Sequence, residues 1–241
     1  FKTRSDTEVL LHLYEEEGED MLSKLDGMFA FALAGPKGLL LARDPLGIKP
    51  LYYGWKGNQF LAASELKAFP PMDRLYALPA GHFLVVGEEP RRFAPSFPPL
   101  SPIREIGVEE ALREIRQRLE QAVLKRLMSD VPVGVYLSGG LDSSLVAALM
   151  RPHTVELHSF TAGMDGAPDL AAAREVAEYL DTEHHELIYT EDDMEAALPE
   201  VIRFLESFDA PLVRSAIPMY FVSKLAARHV KVALTGEGAD E

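Results

Sequence analysis

Cysteine is absent from the 241 residues of this chain, and positively charged residues are scarce. The lack of cysteine excludes disulfide bonds, thiolate metal sites and a cysteine nucleophile within these residues. The 24 lysines and arginines face 38 aspartates and glutamates, a net charge of −14 that repels nucleic-acid phosphates. No apolar run approaches the roughly 18 residues that span a bilayer. We therefore expect neither a nucleic acid nor a membrane as a partner.

The remaining composition is typical of a water-soluble globular protein, because 47% hydrophobic residues are enough to bury a core. The first residue is Phe1 rather than Met, and no charged segment followed by an apolar one opens the chain as a targeting peptide would. We expect a cytoplasmic protein whose natural start need not be Phe1.

A proline-rich linker, residues 90–103, separates two predicted domains, residues 1–89 and 104–241. Its five prolines lack a backbone N–H group and keep the chain extended. In the first domain a helix is predicted from about Asp6 to Glu17, closed by Gly18. Short runs of β-favouring residues predict a mostly antiparallel sheet. These runs are DGMFAFAL, GLLLARD, PLYYGW, NQFLAAS and HFLVV.

The second domain has a different periodicity, in which apolar residues recur every three or four positions from Val108 to Leu127 and predict a helix with one apolar stripe. Apolar strands and helices then alternate, which predicts a parallel, doubly wound sheet. The predicted strands are VGVYL, LHSFTA, HELIY and VKVALT. The predicted helices are 143–150, 168–180, 191–208, capped by Thr190 and Asp193, and 217–228.

The segment SGGLDSS, residues 138–144, lies between an apolar strand and an apolar helix. Its adjacent glycines let backbone amides approach an anion, the start of the helix adds unpaired N–H groups, and three serines add hydroxyl groups. Together these groups are suited to binding phosphate. The pattern GxxxxGK[ST] of the common P-loop is missing. The alternative is a serine-rich turn that only caps a helix.

The segment TGEGADE, residues 235–241, follows another apolar strand. Ligands of open parallel sheets bind at the carboxyl ends of the strands, where the strand order reverses. If the two strands are neighbours, Asp142 and Asp240 can face one pyrophosphate through Mg²⁺, because a hard cation removes the repulsion between carboxylates and phosphates. Glu237 is expected in the same crevice, unless it is simply a loop acid exposed to water.

Further motifs follow in a recognisable order, and they extend over the whole chain. In the second domain they are SGGLDSS, LHSFTAGM, APDL, VAEYLDTEHHE, VRSAIPMY and TGEGADE, and in the first SDTEV, LDGMFAFAL, RDPLGIKPLYYG and ASELKA. In this order they resemble the glutamine-hydrolysing asparagine synthetases. The resemblance implies a partial N-terminal-nucleophile-type antiparallel domain, from a class II glutamine amidotransferase, followed by a parallel-sheet ATP pyrophosphatase domain.

The resemblance also implies roles for individual residues. Those that match the positions around adenine and ribose are Tyr136, Leu137, Ala162, Thr235 and Gly236. Those that match the pyrophosphate-binding loop are Ser138, Gly139, Gly140, Asp142, Ser143 and Ser144. Asp142 and Asp240 match the magnesium ligands, and Glu237 matches the catalytic carboxylate that deprotonates ammonia or the intermediate that ammonia forms.

Two further residues match substrate-binding positions. Arg214, in VRSAIPMY, matches a position that helps bind the acidic substrate. Asp6, in SDTEV, matches the residue that fixes the amino group of glutamine. The alternative for Asp6 is a role at the start of a helix, since Ser5 and Glu8 have the spacing of a capping box.

The reaction implied by the resemblance is the ATP-dependent amidation of aspartate to asparagine through an aspartyl-adenylate, with nitrogen from glutamine or ammonia. Family members begin with a cysteine nucleophile and continue into a helical region, and neither is found in these 241 residues. We therefore expect a middle portion of such an enzyme that does not hydrolyse glutamine alone. A homodimer is compatible with the resemblance.

Three alternatives remain open at the level of sequence. One is a relative with another acceptor, which closes β-lactam rings or amidates peptides or sugars. Another is a non-catalytic nucleotide-binding module. A third, a tRNA-modifying ATP pyrophosphatase, is disfavoured by the charge of −14 and by the lack of cysteine for sulfur transfer. Zinc binding by His184 and His185 together is also disfavoured, because adjacent residues of a strand point to opposite faces.

Overall fold

The computed structural model describes residues 1–3, 5–94 and 105–238 of the chain. The chain divides into two compact units, Phe1–Arg104 and Glu105–Glu241. Each unit has its own sheets and its own buried apolar clusters. Among the described residues, no helix combines the length and the apolar character that a transmembrane segment needs.

In its described residues, 1–3 and 5–94, the first unit contains one α-helix and two antiparallel sheets. The helix is α1, Thr7–Glu17, and short 3₁₀ turns follow at Gly18–Lys24 and Leu66–Ala68. The strands are β1 Ala30–Gly35, β2 Gly38–Arg43, β3 Tyr52–Lys56, β4 Gln59–Ala63, β5 Arg74–Ala77, β6 His82–Val85 and β7 Arg91–Arg92. They are ordered β1-β2-β6-β7 in one sheet and β4-β3-β5 in the other.

The predicted antiparallel character is confirmed, but the strands form two sheets and include two that the sequence pattern did not predict. β5 escaped prediction because all four of its residues are exposed, so it has no alternation of buried and exposed positions. β7 is only two residues long and lies within the predicted linker, where it pairs with β6. Residues 95–103 of that linker lie outside the described residues.

Helix α1 ends as predicted, at Gly18, whose φ of 61° suits a residue without a side chain. The capping box expected between Ser5 and Glu8 is wrong. Instead, the Glu8 carboxylate accepts hydrogen bonds from the Thr3 hydroxyl and from the backbone N–H groups of Lys2 and Thr3, which lower the pKa of Glu8 to about 2. The chain before the helix is therefore folded back onto its first turn.

The RDPLGIK motif is a turn built around one buried carboxylate, Asp44. Its two oxygens accept hydrogen bonds from the backbone N–H groups of Leu46, Ile48 and Lys49, at 3.0 to 3.1 Å. Three N–H donors compensate the loss of hydration that burial imposes on a carboxylate. The motif therefore has a structural role in the fold of the first unit.

The second unit is a parallel sheet with helices. The helices are α2 Val108–Arg126, α3 Leu141–Met150, α4 Pro168–Leu180, α5 Glu191–Leu205 and α6 Ala210–Ala226, with a 3₁₀ turn at Arg151–His153. The strands are β8 Val133–Tyr136, β9 His158–Gly163, β10 Glu183–Ile188 and β11 Val232–Leu234. Their order is β10-β9-β8-β11, and each adjacent pair is parallel. The predicted parallel, doubly wound sheet is confirmed.

The strand order reverses between β8 and β11. From β8 the chain moves outward to β9 and then β10, and it returns through α5 and α6 to β11 on the other side of β8. Leu234 pairs with Val135, so the residues after β11 and those after β8 emerge side by side. This is the crevice in which open parallel sheets bind ligands.

Two helix boundaries differ from the sequence prediction by three residues or more. Helix α5 ends at Leu205, because Glu206 adopts a left-handed conformation with a φ of 55°. Helix α6 begins at Ala210, seven residues before the predicted start, because the Asp209 side chain caps it and Pro218 lies inside it rather than at its beginning. The capping box of Thr190 and Asp193 at the start of α5 is confirmed. In the predicted stripe of α2, Val108, Leu112 and Ile115 are exposed and Val123 is buried.

Replacement of the Asp209 cap is expected to destabilise the second unit. In Asp209→Ala, the N–H of Leu212 loses the acceptor that lies 3.0 Å away. The free energy of unfolding, measured by urea denaturation followed by circular dichroism, should fall by about 1 kcal/mol. Asp209→Ser keeps an N-cap acceptor and should retain most of the stability. Equal losses in both variants would contradict the capping role.

Candidate active site

The loop between β8 and α3 is shaped by two glycines with different roles. Gly139 has a φ of 77°, and a Cβ there would lie 2.4 Å from the Cβ of Ala172 on α4. Gly140 is extended and precedes the first residue of α3. No larger residue fits at Gly139 without moving the loop or α4. The loop therefore turns close against α4 and presents the N-terminal end of α3 to the crevice.

Two serine side chains hold this loop together from within. The hydroxyls of Ser138 and Ser143 lie 3.0 Å apart, the Ser143 hydroxyl donates to the carbonyl of Gly140, and the N–H of Gly140 donates to Ser138 Oγ. These bonds fix the loop before any ligand arrives, which reduces the ordering cost of binding. The Ser144 hydroxyl is buried and makes no hydrogen bond within the described residues.

The loop after β11 packs directly onto the start of α3. A Cβ on Gly236 would lie 2.7 Å from the backbone N of Ser143 and 2.8 Å from the backbone C of Asp142. The N–H of Glu237 donates to the Thr235 hydroxyl at 3.1 Å, which bends the loop after that contact. The two motifs that lie almost a hundred residues apart in sequence are thus in van der Waals contact.

A cavity of about 360 Å³ opens where these two loops meet. Its walls come from both loops, from the end of β9, and from one residue of α4 and several of α6. The lining residues are Tyr136, Leu137, Ser138, Gly140, Asp142, Ser143, Phe160, Ala162, Asp169, Ser215, Pro218, Met219, Val222, Thr235, Gly236, Glu237 and Gly238. The cavity therefore combines an apolar wall with polar groups at a helix N-terminus, a common composition for a small-molecule site.

The side-chain charges of the cavity are all negative. Asp142, Asp169 and Glu237 line it, and its lining includes no Lys, Arg or His among the residues that the structure describes. A polyphosphate would be repelled by these carboxylates unless a cation came with it. Carboxylate oxygens are the ligands that Mg²⁺ prefers, so this donor set fits a hard divalent cation.

The structure gathers most of the sequence-predicted site residues around this cavity. Those in its lining are Tyr136, Leu137, Ser138, Gly140, Asp142, Ser143, Ala162, Thr235, Gly236 and Glu237. Gly139 in the loop and Ser144 in the first turn of α3 are not in the lining. Asp240 lies outside the described residues.

The two predicted substrate-binding residues lie away from the lining. Arg214 is exposed on α6, next to the lining residue Ser215. Asp6 belongs to the first unit, where it is exposed and is the N-cap of α1. Its side chain makes no capping hydrogen bond, but its position directly before Thr7 agrees with the alternative of a role at the start of the helix.

Several lining residues were not predicted from sequence. They are Phe160, Asp169, Ser215, Pro218, Met219, Val222 and Gly238. The four on α6 follow a helical spacing of three and four, which would have indicated one face of a helix had its start been predicted at Ala210. Asp169 follows Pro168 in the first turn of α4, and only the sheet topology brings that turn to the crevice.

His184 and His185 point to opposite faces of the sheet, as predicted. His184 hydrogen-bonds to the Ser159 hydroxyl at 2.8 Å, and burial lowers its pKa. His185 stacks on Phe160 and lies beside His158 and His229. Burial also lowers the pKa of His185, and the neighbouring His229 lowers it further. Neither histidine lines the cavity described above.

Comparison with known proteins gives two family matches. Residues 114–241 match the asparagine synthase family, and residues 1–71 match a glutamine amidotransferase domain family. A probable asparagine synthetase [glutamine-hydrolyzing] of Dictyostelium discoideum is 43% identical over 266 residues, covering 100% of this chain and 47% of the relative. Asparagine synthetase [glutamine-hydrolyzing] 2 of Oryza sativa subsp. japonica is also 43% identical, with 43% of the relative covered. The chain spans about half the length of the curated relatives it matches.

Solved structures with some likeness are an NH3-dependent NAD synthetase from Campylobacter jejuni and an NMN synthetase from Francisella tularensis. The first is 22% identical with a TM-score of 0.37, covering 51% of this chain and 54% of the other. The second is 21% identical with a TM-score of 0.38, covering 50% of this chain and 52% of the other.

Gly236→Ala is expected to disturb the contact between the two loops. The added methyl group would meet backbone atoms of Asp142 and Ser143, which cannot rotate away. We expect a loss of about 1 to 3 kcal/mol in the free energy of unfolding, measured by urea denaturation. Gly27→Ala is the control, since a Cβ there meets nothing within 4 Å and residue 27 lies outside the helices and strands. Equal stability of the two variants would contradict the close approach.

Proposed function

Because the chain belongs to the asparagine synthase family, we propose that it carries the ATP-binding site of a ligase that converts aspartate to asparagine. The proposed substrates are ATP, aspartate and glutamine, and the products of ATP are AMP and pyrophosphate. The observation that carries the proposal is the contact between the SGGLDSS loop and the TGEG loop at the ends of neighbouring parallel strands. Both loops line one acidic cavity.

The nucleoside part of ATP would occupy the apolar side of the cavity. Phe160, Ala162, Met219 and Val222 offer a surface on which a purine ring can be buried. The roles proposed at the strand ends, for adenine and ribose, belong to Tyr136, Leu137, Ala162, Thr235 and Gly236. The Tyr136 hydroxyl donates to Ser223 Oγ at 3.0 Å, which anchors this wall to α6.

The pyrophosphate part would lie at the N-terminus of α3. A helix N-terminus offers unpaired N–H groups with a partial positive charge. The hydroxyls of Ser138 and Ser143 bond to each other and to Gly140, so they hold the loop that presents these N–H groups. Gly139 contributes by the turn that only glycine allows against α4. Ser144 is assigned to the same loop, although its hydroxyl is buried.

Magnesium is proposed as the cation that compensates the acidic lining. Asp142 would hold it together with Asp240, which lies outside the described residues. When bound, Mg²⁺ neutralises part of the charge on the polyphosphate and on the leaving pyrophosphate. The carboxylate of Asp169 also lines the cavity and adds to its negative potential.

Adenylation makes the aspartate carboxylate reactive towards ammonia. A carboxylate is a poor electrophile because its charge repels a nucleophile, so its oxygen attacks the α-phosphorus of ATP and pyrophosphate leaves. The acyl-adenylate is then attacked by ammonia, and AMP leaves. Glu237, beside the loop that would bind pyrophosphate, is proposed as the base that takes the proton from the attacking nitrogen. Arg214, exposed on α6, is proposed to help bind the acidic substrate.

Glutamine is the proposed nitrogen source of the whole protein. Asp6 is proposed to bind the amino group of glutamine, and its carboxylate makes no capping hydrogen bond to α1. A cysteine nucleophile is not among the 241 residues. The synthetase reaction is therefore best tested with ammonia as well as with glutamine.

The proposal is tested by aspartate-dependent release of pyrophosphate from ATP with Mg²⁺ and ammonia. Asp142→Asn keeps the size of the side chain but removes a charge from the cavity. We expect pyrophosphate release to fall by at least about 100-fold, the effect of removing an electrostatic stabiliser of a transition state. Asp192→Asn, in the first turn of α5 and outside the cavity lining, is the control and should stay within about twofold. No aspartate-dependent AMP in the unaltered protein would overturn the proposal.

A second variant separates the two chemical steps. Glu237→Gln should lower the rate of asparagine formation by about 100-fold or more, because it cannot accept a proton. Aspartate-dependent exchange of labelled pyrophosphate into ATP should remain, because adenylation needs no base. Loss of both activities to the same extent would assign Glu237 to nucleotide binding instead.

A further inference from the structure

Three histidines meet on the second unit at the amino-terminal end of the parallel sheet. His158 is the first residue of β9, His185 lies near the start of β10, and His229 lies between α6 and β11. The cavity described above lies at the opposite, carboxyl end of the same strands. Neither the proposed adenylation nor glutamine hydrolysis makes use of this cluster.

The ring nitrogens of the cluster are spaced as ligands of one ion. His158 Nδ1 and His185 Nε2 are 3.1 Å apart, and the ring centroids of His185 and His229 are 3.8 Å apart. One ring nitrogen of each histidine lies within 4.8 Å of a nitrogen of the other two. Zinc–nitrogen bonds of about 2.0 to 2.1 Å in a tetrahedron separate two nitrogens by about 3.3 Å. To surround one ion, the rings of His185 and His229, whose centroids are now 3.8 Å apart, have to move away from each other.

The residues around the three rings fix the ring orientations and leave the cluster open to solvent on one side. Phe160 is fully buried and stacks on His185, with ring centroids 5.0 Å apart and planes 15° apart. His158 lies parallel to the same Phe160 ring, so an apolar side chain fixes the orientation of two imidazoles. His229 is exposed and leaves a path from solvent to the cluster.

A carboxylate lies beside the nitrogens. The Oε2 atom of Glu183 is 3.5 Å from His158 Nδ1, and its Oε1 atom is 3.5 Å from His185 Nε2. Glu183 also pairs with His158 in the register of β9 and β10, so the sheet itself holds this carboxylate near the rings. A carboxylate next to ligating imidazoles balances the charge of a bound cation and orients the rings.

We propose that His158, His185 and His229 form a binding site for one divalent transition metal of the zinc class, with Glu183 alongside. Three imidazoles favour zinc, cobalt or nickel over magnesium, which prefers oxygen ligands. Such an ion would link β9, β10 and the segment that leads into β11, all within the second unit. Its place at the far end of the sheet separates it from the magnesium proposed for the cavity.

The test is a titration of the metal-free protein with Zn²⁺ in calorimetry, in the presence of excess Mg²⁺. We expect one equivalent to bind, and we expect Co²⁺ to give the visible absorption bands of a tetrahedral nitrogen-ligated ion. His229→Gln and His158→Asn should each weaken zinc binding by at least about tenfold. Because His229 is exposed, its replacement should leave the metal-free fold unchanged in circular dichroism.

His153→Gln is the matched control, because His153 lies on the 3₁₀ turn after α3 and is not part of the cluster. This variant should bind zinc as the unaltered protein does. Zinc should also raise the melting temperature of the unaltered protein and of His153→Gln, but not that of His229→Gln. Absence of saturable binding, or equal binding by all variants, would overturn the proposal and leave the proposed ligase reaction untouched.

Discussion

The parallel pairing of β8 with β11 is the constraint on which the second unit depends. It places the end of β8, at residue 136, beside the end of β11, at residue 234. The loops that follow the two strands therefore leave the sheet on the same side. Gly236 then allows backbone to approach backbone at the start of α3. A side chain at that position would separate the loops, and the cavity between them would lose one of its walls. The proposed chemistry thus rests on a contact between main chains.

The sequence predicted the classes of both folds because their hydrophobic patterns are strong. The change from a period of two to one of 3.6 indicated the second unit, and helix α4 has the predicted bounds. The start of α6 was predicted at residue 217, whereas Asp209 caps the helix so that it begins seven residues earlier, at Ala210. β5 was missed because its exposed residues carry no alternation. Hydrophobic periodicity therefore does not predict a helix start that is set by a capping side chain, or a strand whose residues are all exposed.

The sequence predicted those residues of the candidate site that belong to its two loops. The glycines and serines of the SGGLDSS loop and Glu237 have chemical signatures in the sequence, and Ser138, Gly140, Ser143 and Glu237 line the cavity. Asp169 and the apolar residues of α6 have none, since an acid in a first helical turn and an apolar helix face are ordinary features of folded proteins. The three-histidine cluster was hidden for a similar reason. His158, His185 and His229 are distant in sequence, and only the register of β9 and β10 and the turn before β11 bring them together.

The acidic lining of the cavity determines how ionic strength affects the binding affinity for the proposed nucleotide. In a phosphate site built from lysines and arginines, added salt screens an attraction and weakens binding. Here the side chains in the described part of the lining carry only negative charge, so salt would screen a repulsion instead. Nucleotide without its metal would then bind better as salt rises, whereas the metal-loaded form, whose charges are largely compensated, would change little. The enzyme would discriminate between the two forms most strongly in dilute buffer.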